Sequence, residues 1–298
     1  MTARRCALVA ILGAPNAGKS TLVNRLVGGK VSIVSPKVQT TRSRVLGIAI
    51  RGETQLVLVD TPGIFPPKRR LERAMVMAAW AGAEDADLVV VLVDAARGFD
   101  EDTTRIVDGL AAADRRAVLA LNKIDRVPRE RLLPLAAEAD RRGIFDAVFM
   151  LSGLTGDGVE DFALHLAQVA PEGPWLFPED QLSDMPERLL AAELVREQIF
   201  LQLHQELPYG ATVETEQWEE RPDGSVRIEC VIHVARDSHK PIVLGAGGAR
   251  VRSIGAAARA ELQRVLDRPV HLFLQVRVTA DWSEDRARYE AMRLDWEP

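Results

Sequence analysis

The sequence predicts two domains: an α/β domain built on a mixed, mostly parallel β-sheet, followed by a smaller α+β domain. Continuous Val- and Leu-rich runs alternate with helical patterns over roughly the first 170 residues, which is typical of a parallel sheet covered by helices on both faces. The alternation stops at Ala170, where a proline-rich segment begins. The length of 298 residues also suits two domains of ordinary size.

Apolar runs and helical patterns define the elements of the first domain. Ala7–Leu12 is predicted to be a buried strand, and a helix is predicted from Lys19 to about Val27. Val45–Ile50 and Gln55–Val59 flank a four-residue turn and predict an antiparallel hairpin. Three buried strands then alternate with three helices: the strands are Leu88–Val93, Ala117–Leu121 and Ala147–Leu151, and the helices are 101–113, 129–141 and 158–169.

A linker and a second set of elements follow. Residues 171–186 contain four prolines, so we expect a linker there rather than a regular element. A long helix is predicted from near Pro186; after it come two strands, a short helical piece, a glycine-rich loop, a second helix and a strand. The bounds predicted for the strands and the second helix are Thr212–Glu220, Ser225–Ala235, 250–266 and Val270–Val278. We therefore expect one domain at 1–170 and the other at 187–298.

The composition is that of a globular protein, with 47% hydrophobic and 27% charged residues. No run of about 18 apolar residues occurs, so no membrane span is expected. The two cysteines, Cys6 and Cys230, lack metal-ligand spacing and are too few for a disulfide framework. They are predicted to be buried free thiols, and they favour a reducing, cytoplasmic location.

Charge is distributed unevenly along the chain. The net charge is −5 overall, which by itself argues against a nucleic-acid-binding protein. Ser225–Asp281, however, contains nine Lys and Arg against five Asp and Glu, a net of +4. A basic segment on an acidic chain indicates contact with RNA or DNA.

A phosphate-binding motif lies between the first predicted strand and the first predicted helix. Gly13–Ser20 (GAPNAGKS) matches G-x-x-x-x-G-K-[ST], in which backbone N–H groups surround the phosphates, the lysine reaches the β- and γ-phosphates and the final hydroxyl ligates Mg²⁺. A chance glycine-rich turn before a helix is the alternative. The residues expected to contact the phosphates are Gly13, Ala14, Pro15, Asn16, Ala17, Gly18, Lys19, Ser20 and Thr21.

A second motif, Asp60-Thr61-Pro62-Gly63, ends the hairpin. The Asp60 carboxylate can hold Mg²⁺ through water, and the Gly63 N–H can sense a γ-phosphate. The same residues can also form a simple strand-ending turn. Ile64 follows directly and is included among the expected nucleotide contacts.

A third motif, Asn122-Lys123-Ile124-Asp125, ends the strand Ala117–Leu121 and predicts selection of guanine. Asp125 can accept hydrogen bonds from N1–H and the N2 amino group of guanine, a donor pair that adenine lacks. The backbone of Ser152-Gly153-Leu154 is expected near the guanine O6. All three motifs follow predicted strands, and ligands of such sheets bind at the carboxyl ends of the strands.

Together these motifs resemble those of the superfamily of translational GTPases that includes Ras and the bacterial ribosome-assembly GTPases. Within it, the chain resembles the Era family nearly end to end. The segments that carry this narrower resemblance are Lys37–Arg42 (KVQTTR), Phe177–Asp180 (FPED), Glu193–Glu197 (ELVRE), Val243–Arg250 (VLGAGGAR), and Val270-His271-Leu272 with Trp282. The resemblance implies a Ras-like P-loop domain, a type II KH domain, and a GTP-hydrolysing switch that binds 16S ribosomal RNA near its 3′ end in small-subunit assembly.

The resemblance also implies roles for individual residues. Lys19, Thr41 and Gly63 are the expected catalytic residues, and Mg²⁺ is expected on Ser20, Thr41 and Asp60, with Thr40 as the alternative threonine. Asn16 matches an asparagine that helps to hold K⁺ beside the phosphates. Ile64 stands where Ras-like proteins have a water-orienting glutamine, so slow turnover that a partner or a cation stimulates is expected.

The loop Gly245-Ala246-Gly247-Gly248 fits the G-x-x-G pattern with which KH domains clamp an RNA backbone. The family usually has lysine where this chain has Gly247, which removes one phosphate contact. Lys240, Arg250 and Arg252 are the basic residues expected to compensate.

Two alternatives stay open at the level of sequence. One is a non-enzymatic RNA-binding scaffold with a structural nucleotide. It stays open because Ile64 stands in place of the glutamine that orients the attacking water. The other is a membrane-associated GTPase, since the basic second domain can attract anionic lipid, although no lipid anchor or strongly amphipathic basic helix is found. We expect a cytoplasmic monomer with, at most, a weakly bound fraction at the inner membrane.

Overall fold

The computed structural model describes residues 4–203 and 207–298. The chain divides into two compact units. The first consists of Met1–Ser32, Thr41–Asp184 and Glu290–Pro298, and the second of Ile33–Thr40 and Met185–Tyr289. Residues 204–206, on which the last turn of the predicted long helix falls, lie outside the described residues.

The first unit contains a six-stranded sheet in the order β2-β3-β1-β4-β5-β6. β2 is antiparallel to β3, and all other neighbours are parallel, which confirms the mixed, mostly parallel sheet. The strands are β1 (Arg5–Leu12), β2 (Val45–Arg51), β3 (Thr54–Asp60), β4 (Leu88–Asp94), β5 (Ala117–Asn122) and β6 (Phe145–Met150). The helices are α1 (Lys19–Val27), α2 (Arg70–Glu84), α3 (Glu101–Ala112), α4 (Leu132–Arg142) and α5 (Val159–Val169).

Apolar cores cover both faces of this sheet, because successive residues of a buried strand point to opposite faces. Along β1, Val9 and Ile11 join a core with side chains of α1 and α5, whereas Ala10 and Leu12 join the core formed with α2, α3 and α4. This explains why the strands of the first unit are almost continuously apolar in sequence.

Helix α2 is not among the elements predicted from the sequence. Its buried residues, Ala74, Met75, Ala79 and Ala83 among them, nevertheless recur at helical spacing. At its start, the Glu72 carboxylate accepts hydrogen bonds from the backbone N–H groups of residues 68 and 69 at 2.7 and 3.1 Å, and this contact caps the helix.

The predicted linker contains no helix or extended strand, and much of it is pinned to the first unit. The buried Gln55 side chain accepts hydrogen bonds from the N–H groups of Leu176 and Phe177 at 2.9 and 3.0 Å, and it donates to the Phe177 carbonyl at 2.8 Å. The Ile48 N–H donates to the Leu182 carbonyl at 2.9 Å. The segment therefore lies along β2 and β3 as an ordered strap.

The second unit contains a three-stranded sheet in the order β7-β8-β9. β7 and β8 are antiparallel, and β8 and β9 are parallel. Its elements are α6 (Glu187–Gln202), β7 (Ala211–Glu220), β8 (Val226–Val234), α7 (His239–Leu244), α8 (Ala249–Leu266) and β9 (Val270–Val278). This confirms the predicted order, to which the structure adds the short α9 (Arg286–Ala291).

The core of the second unit lies between its sheet and the helices α6 and α8. Leu194, Val195 and Ile199 from α6 meet Ile254 and Leu262 from α8 in one buried cluster with the sheet. Both cysteines of the chain are free and buried, as predicted.

Candidate functional site

The phosphate-binding loop connects β1 to α1, as predicted. Gly18 has a φ of +101°, and a Cβ on it would lie 2.4 Å from the Asn122 Nδ2 atom. A Cβ on Gly13 would lie 2.6 Å from the Leu92 carbonyl oxygen. Glycine is required at Gly13 because a Cβ would meet the backbone of β4, and at Gly18 because the left-handed backbone and the Asn122 side chain leave no room for one.

Lys19 lies at the start of α1 with its ammonium group turned onto the loop. The Nζ atom donates to the carbonyl oxygens of Gly13 and Ala14 at 3.0 and 3.2 Å, and the residue is only 6% exposed. Burial lowers the pKa of Lys19 to about 8, while the nearby Asp60 acts in the opposite direction. A cation held with so little water around it attracts a phosphate more strongly than an exposed lysine does.

Three hydroxyl groups converge on the buried carboxylate of Asp60. Its Oδ2 atom accepts from Ser32 Oγ at 2.5 Å, from Ser20 Oγ at 2.7 Å and from Thr41 Oγ1 at 3.4 Å. Ser20 Oγ and Thr41 Oγ1 are themselves 2.9 Å apart. Burial raises the pKa of Asp60, and these hydroxyls together with Lys19 oppose that effect.

This cluster fits a magnesium ion. Hydroxyl and carboxylate oxygens are the hard ligands that Mg²⁺ prefers. The Oδ1 atom of Asp60 is buried and has no hydrogen-bond partner among residues 4–203 and 207–298, which is the condition of an atom that faces an ion or its water. In the same described part of the chain, no three His, Cys, Asp or Glu side chains cluster as a metal site. Ser20, Thr41 and Asp60 would hold the ion.

The structure places Thr41, rather than Thr40, in this cluster. The Thr40 hydroxyl instead donates to the Lys37 carbonyl at 2.7 Å and lies 2.6 Å from Ser35 Oγ. The sequence leaves open which threonine is near Asp60. In the structure these local contacts hold the Thr40 hydroxyl within its own turn, and Thr41 lies at Asp60.

Ser32 was not predicted as a site residue. The Asn24 side chain of α1 places it: Oδ1 accepts from the N–H groups of Val31 and Ser32 at 2.9 Å each, and Nδ2 donates to the Ser32 carbonyl at 2.7 Å. A serine in an irregular loop carries no spacing signal, because its position at Asp60 depends on these contacts with Asn24 and not on a local period.

The segment after Asp60 approaches the phosphate loop with its backbone. A Cβ on Gly63 would lie 3.0 Å from the Pro15 Cα atom, and the Ile64 N–H donates to the Gly13 carbonyl at 3.2 Å. The Ile64 side chain is 1% exposed and packs in the apolar core. Thr61 donates its hydroxyl to the Ile11 carbonyl at 2.7 Å. The side chains of residues 61, 62 and 64 are buried. Any contact of these residues with a nucleotide would therefore involve their backbone atoms.

The guanine motif is tied to the phosphate loop by Asn122, which is 1% exposed. Its Nδ2 donates to the Ala17 carbonyl at 2.8 Å, and its Oδ1 accepts from the Gly153 N–H at 3.0 Å. One amide of the segment 152–154 is therefore engaged inside the site, while the Leu154 side chain is 67% exposed.

Lys123 directly precedes the 3₁₀ turn that follows β5, and Asp125 lies within that turn. The Lys123 ammonium donates to the Asn16 carbonyl at 2.6 Å and pairs with the Asp94 carboxylate at 2.7 Å. Asp94 was not predicted, although its position at the end of β4 is the signal that marks the other site residues. Asp125 lies in a 3₁₀ turn with an exposed side chain, which leaves its carboxylate open to a base.

The loop at 245–248 lies between α7 and the 18-residue α8. A Cβ on Gly245 would lie 2.7 Å from the Arg250 Cβ atom, so glycine is required where the loop turns into the helix. The exposed residues around the loop are Lys240, Ala246, Gly247, Arg250 and Arg252. Arg252 donates to the Gly247 carbonyl at 2.7 Å, so part of its donor capacity is used within the loop.

Comparisons with known proteins identify the family of each domain. A model of the 50S ribosome-binding GTPase family matches residues 8–123, and a KH domain model matches residues 206–283. GTPase Era of Rhizobium meliloti (strain 1021) is 58% identical over 292 residues, which are 98% of this chain and 93% of that protein. GTPase Era of Bradyrhizobium sp. (strain ORS 278) is 56% identical over 294 residues, 99% of this chain and 96% of that one.

Two solved structures share the fold of nearly the whole chain. One is a point variant of Aquifex aeolicus Era bound to GDP and AlF4⁻, and the other is Era in complex with MgGDPNP and nucleotides 1506–1542 of 16S ribosomal RNA. Each has a TM-score of 0.92 and 37% identity, and each comparison covers 97% of this chain and 98% of the other. The chain belongs to the Era GTPase family, and it is a GTP-hydrolysing enzyme with a C-terminal KH domain.

Proposed function

We propose that this GTPase is a nucleotide-regulated switch that binds 16S ribosomal RNA near its 3′ end and acts in assembly of the small ribosomal subunit. The observation that carries the proposal is the exposed loop 245–248 at the start of α8, with basic residues around it, in the same chain as the hydroxyl–carboxylate cluster at Asp60. The related Era structure with a 16S fragment and MgGDPNP supports it.

At the first site, guanine nucleotide binding follows from the residues present. Asp125 accepts from N1–H and the N2 amino group of guanine, and Lys19 neutralises charge on the phosphates. Ser20, Thr41 and Asp60 would hold Mg²⁺, and the ion when bound would offset the negative charge that develops on the phosphate oxygens.

The attacking water must be positioned without a side chain from residue 64, because Ile64 is buried in the core. Asn16 is the candidate for a compensating role. It is exposed, and its backbone is held at a φ of +64° while its carbonyl accepts from Lys123. We propose that Asn16 helps to hold K⁺ beside the phosphates, where the cation takes part of the role of an arginine finger.

At the second site, the loop 245–248 allows an RNA backbone to approach closely. The start of α8 contributes N–H donors and the positive end of the helix dipole, and Lys240, Arg250 and Arg252 contribute charge. Sequence preference in KH domains comes from single-stranded bases, whereas the glycine loop binds their backbone.

The test is a titration of the full chain against a fluorescent RNA with the 3′-terminal sequence of 16S ribosomal RNA. An RNA of equal length and unrelated sequence is the control for specificity. The variant Ala246→Asp with Gly247→Asp places two carboxylates against the phosphates and should lose binding, while GTP hydrolysis without RNA should be unchanged. Wild-type affinity for this variant would show that RNA does not use the loop.

Membership of a GTPase family rules out the non-enzymatic scaffold. No helix in the described part of the chain has the length and apolarity needed to cross a bilayer. The cytoplasmic location, the monomeric state and weak attraction to the inner membrane stay predictions, which fractionation and light scattering of the purified protein can test.

A further inference from the structure

Residues 33–40 lie directly before Thr41 in the chain, yet they belong to the second unit. The Ile33 side chain is 2% exposed and joins the apolar core of that unit with Leu194 and Val195 of α6. We call these eight residues the loop 33–40.

Polar groups near the end of α6 hold the loop along its length. The Val34 N–H donates to Glu197 Oε1 at 2.8 Å. The Lys37 ammonium donates to the carbonyl oxygens of Phe200 and Leu203, where the helix ends and its carbonyls lack helical partners.

The last residue of the loop is held by Arg196. Its guanidinium donates to the Thr40 carbonyl and pairs with the Glu193 carboxylate. Arg196 and Glu197 are 1% and 3% exposed, so their geometry is set by packing rather than by solvent. Burial lowers the pKa of Lys37, in agreement with an ammonium group removed from water to bind the helix end.

The two residues that flank the loop in the sequence contact the same carboxylate. Ser32 precedes the loop and Thr41 follows it, and both hydroxyls donate to Asp60 Oδ2. Arg196 binds the Thr40 carbonyl, and the next residue, Thr41, has its side chain in the proposed magnesium cluster. We expect a displacement of the loop to move Thr41, because the two contacts are made by adjacent residues.

We propose that Lys37, Arg196 and Glu197 hold the loop 33–40 in place and are thereby positioning residues for Thr41, the residue that directly follows the loop. This inference rests on the proposed function of Thr41 as a magnesium ligand. GDP binding depends on the phosphate loop and the guanine motif, so it should be largely independent of these three residues.

The test compares two substitutions with matched controls in the full chain. Lys37→Met keeps the side-chain length and removes the ammonium, and Lys68→Met makes the same change at an exposed lysine whose side chain has no hydrogen bond among the described residues. Glu197→Ala removes the acceptor for Val34, and Glu197→Gln restores an oxygen at the same place.

Two measurements are made on each protein. Amide hydrogen exchange of residues 33–41 is measured without nucleotide, and kcat for GTP is measured beside the Kd for GDP. Lys37→Met and Glu197→Ala should increase exchange in 33–41 by about tenfold and lower kcat by about tenfold. The Kd for GDP should stay within about twofold, Glu197→Gln should recover most of the rate, and Lys68→Met should match the wild type.

The outcomes separate this inference from the proposed function. If the wild type does not hydrolyse GTP in a Mg²⁺-dependent way, the proposed function fails. If the wild type is active and Lys37→Met loosens the loop without lowering kcat, or leaves exchange unchanged, the positioning role is refuted. Should Glu197→Ala fail to fold, Lys37→Met decides alone, because Lys37 is only half-buried.

Discussion

Lysine at position 247 should strengthen RNA binding through one additional phosphate contact. Gly247 is exposed, and a Cβ built on it meets no heavy atom of the described residues within 4 Å, so a long side chain has room. Its φ of +54° is in the left-handed region, where a residue with a Cβ costs roughly 1–2 kcal/mol. That strain is the same in the free and the RNA-bound protein. It therefore lowers the free energy of unfolding but does not reduce the gain in RNA affinity.

The size of the gain follows from counterion release. One phosphate contact with single-stranded RNA changes the slope of log K against log salt by about −0.7. Relative to 1 M salt, one contact is then worth about fourfold in affinity at ~0.15 M and about eightfold at ~0.05 M. These factors correspond to about 0.8 and about 1.2 kcal/mol.

The assay is fluorescence anisotropy of the 16S 3′-end RNA with the full chain at several salt concentrations. Gly247→Gln is the matched control, because it brings the same backbone strain without the charge. Both variants should melt at the same lowered temperature, and only Gly247→Lys should bind more tightly with a steeper salt dependence. Equal slopes for the two variants would refute the reasoning that position 247 faces a phosphate.

Three further predictions concern the nucleotide site. Asp125→Asn replaces an acceptor by a mixed donor and acceptor, so competition assays should show a shift from guanine towards xanthine nucleotides; tight binding of ATP by the wild type would contradict the role of Asp125. Hydrolysis should be faster in K⁺ than in Na⁺, and Asn16→Ala should bring the two rates together; equal wild-type rates in both salts would exclude a potassium site. The pKa of Lys19 lies at about 8 in the folded chain against an ordinary 10.5. Between these two pH values, Lys19 is therefore protonated in the unfolded state and mostly deprotonated in the folded state. The free energy of unfolding of the nucleotide-free protein should therefore increase as pH rises from 8 to 10.5, and Lys19→Met should remove that increase in denaturant titrations.

Local pattern predicts most elements of the fold because their burial is nearly complete. β1, β4 and β5 are buried on both faces, and such strands are unbroken apolar runs in the sequence. The phosphate loop and the loop 245–248 can also be recognised in the sequence, because a backbone that approaches phosphate closely needs glycine at fixed spacing. Helices α2 and α9 are not among the predicted elements, although the buried residues of α2 recur at helical spacing.

Site residues were predictable where each ends a strand of the parallel sheet. Asp60 and Asn122 end β3 and β5, and their type and order point to a nucleotide. Ser32 could not be found in this way, because its position depends on the Asn24 side chain of α1. Asp94 has the right position, but only the structure shows its contact with Lys123.

The sequence by itself determined the two-domain architecture, the phosphate and guanine motifs, and the glycine loop that precedes α8. These depend on local spacing and on the chemistry of single residues. Only the tertiary structure decided that Thr41 rather than Thr40 meets Asp60, that the Ile64 side chain lies in the core, and that residues 33–40 pack with α6. The physical reason is that these contacts join residues far apart in the chain: Arg196 holds the Thr40 carbonyl across 156 positions, and no local period encodes such a pair.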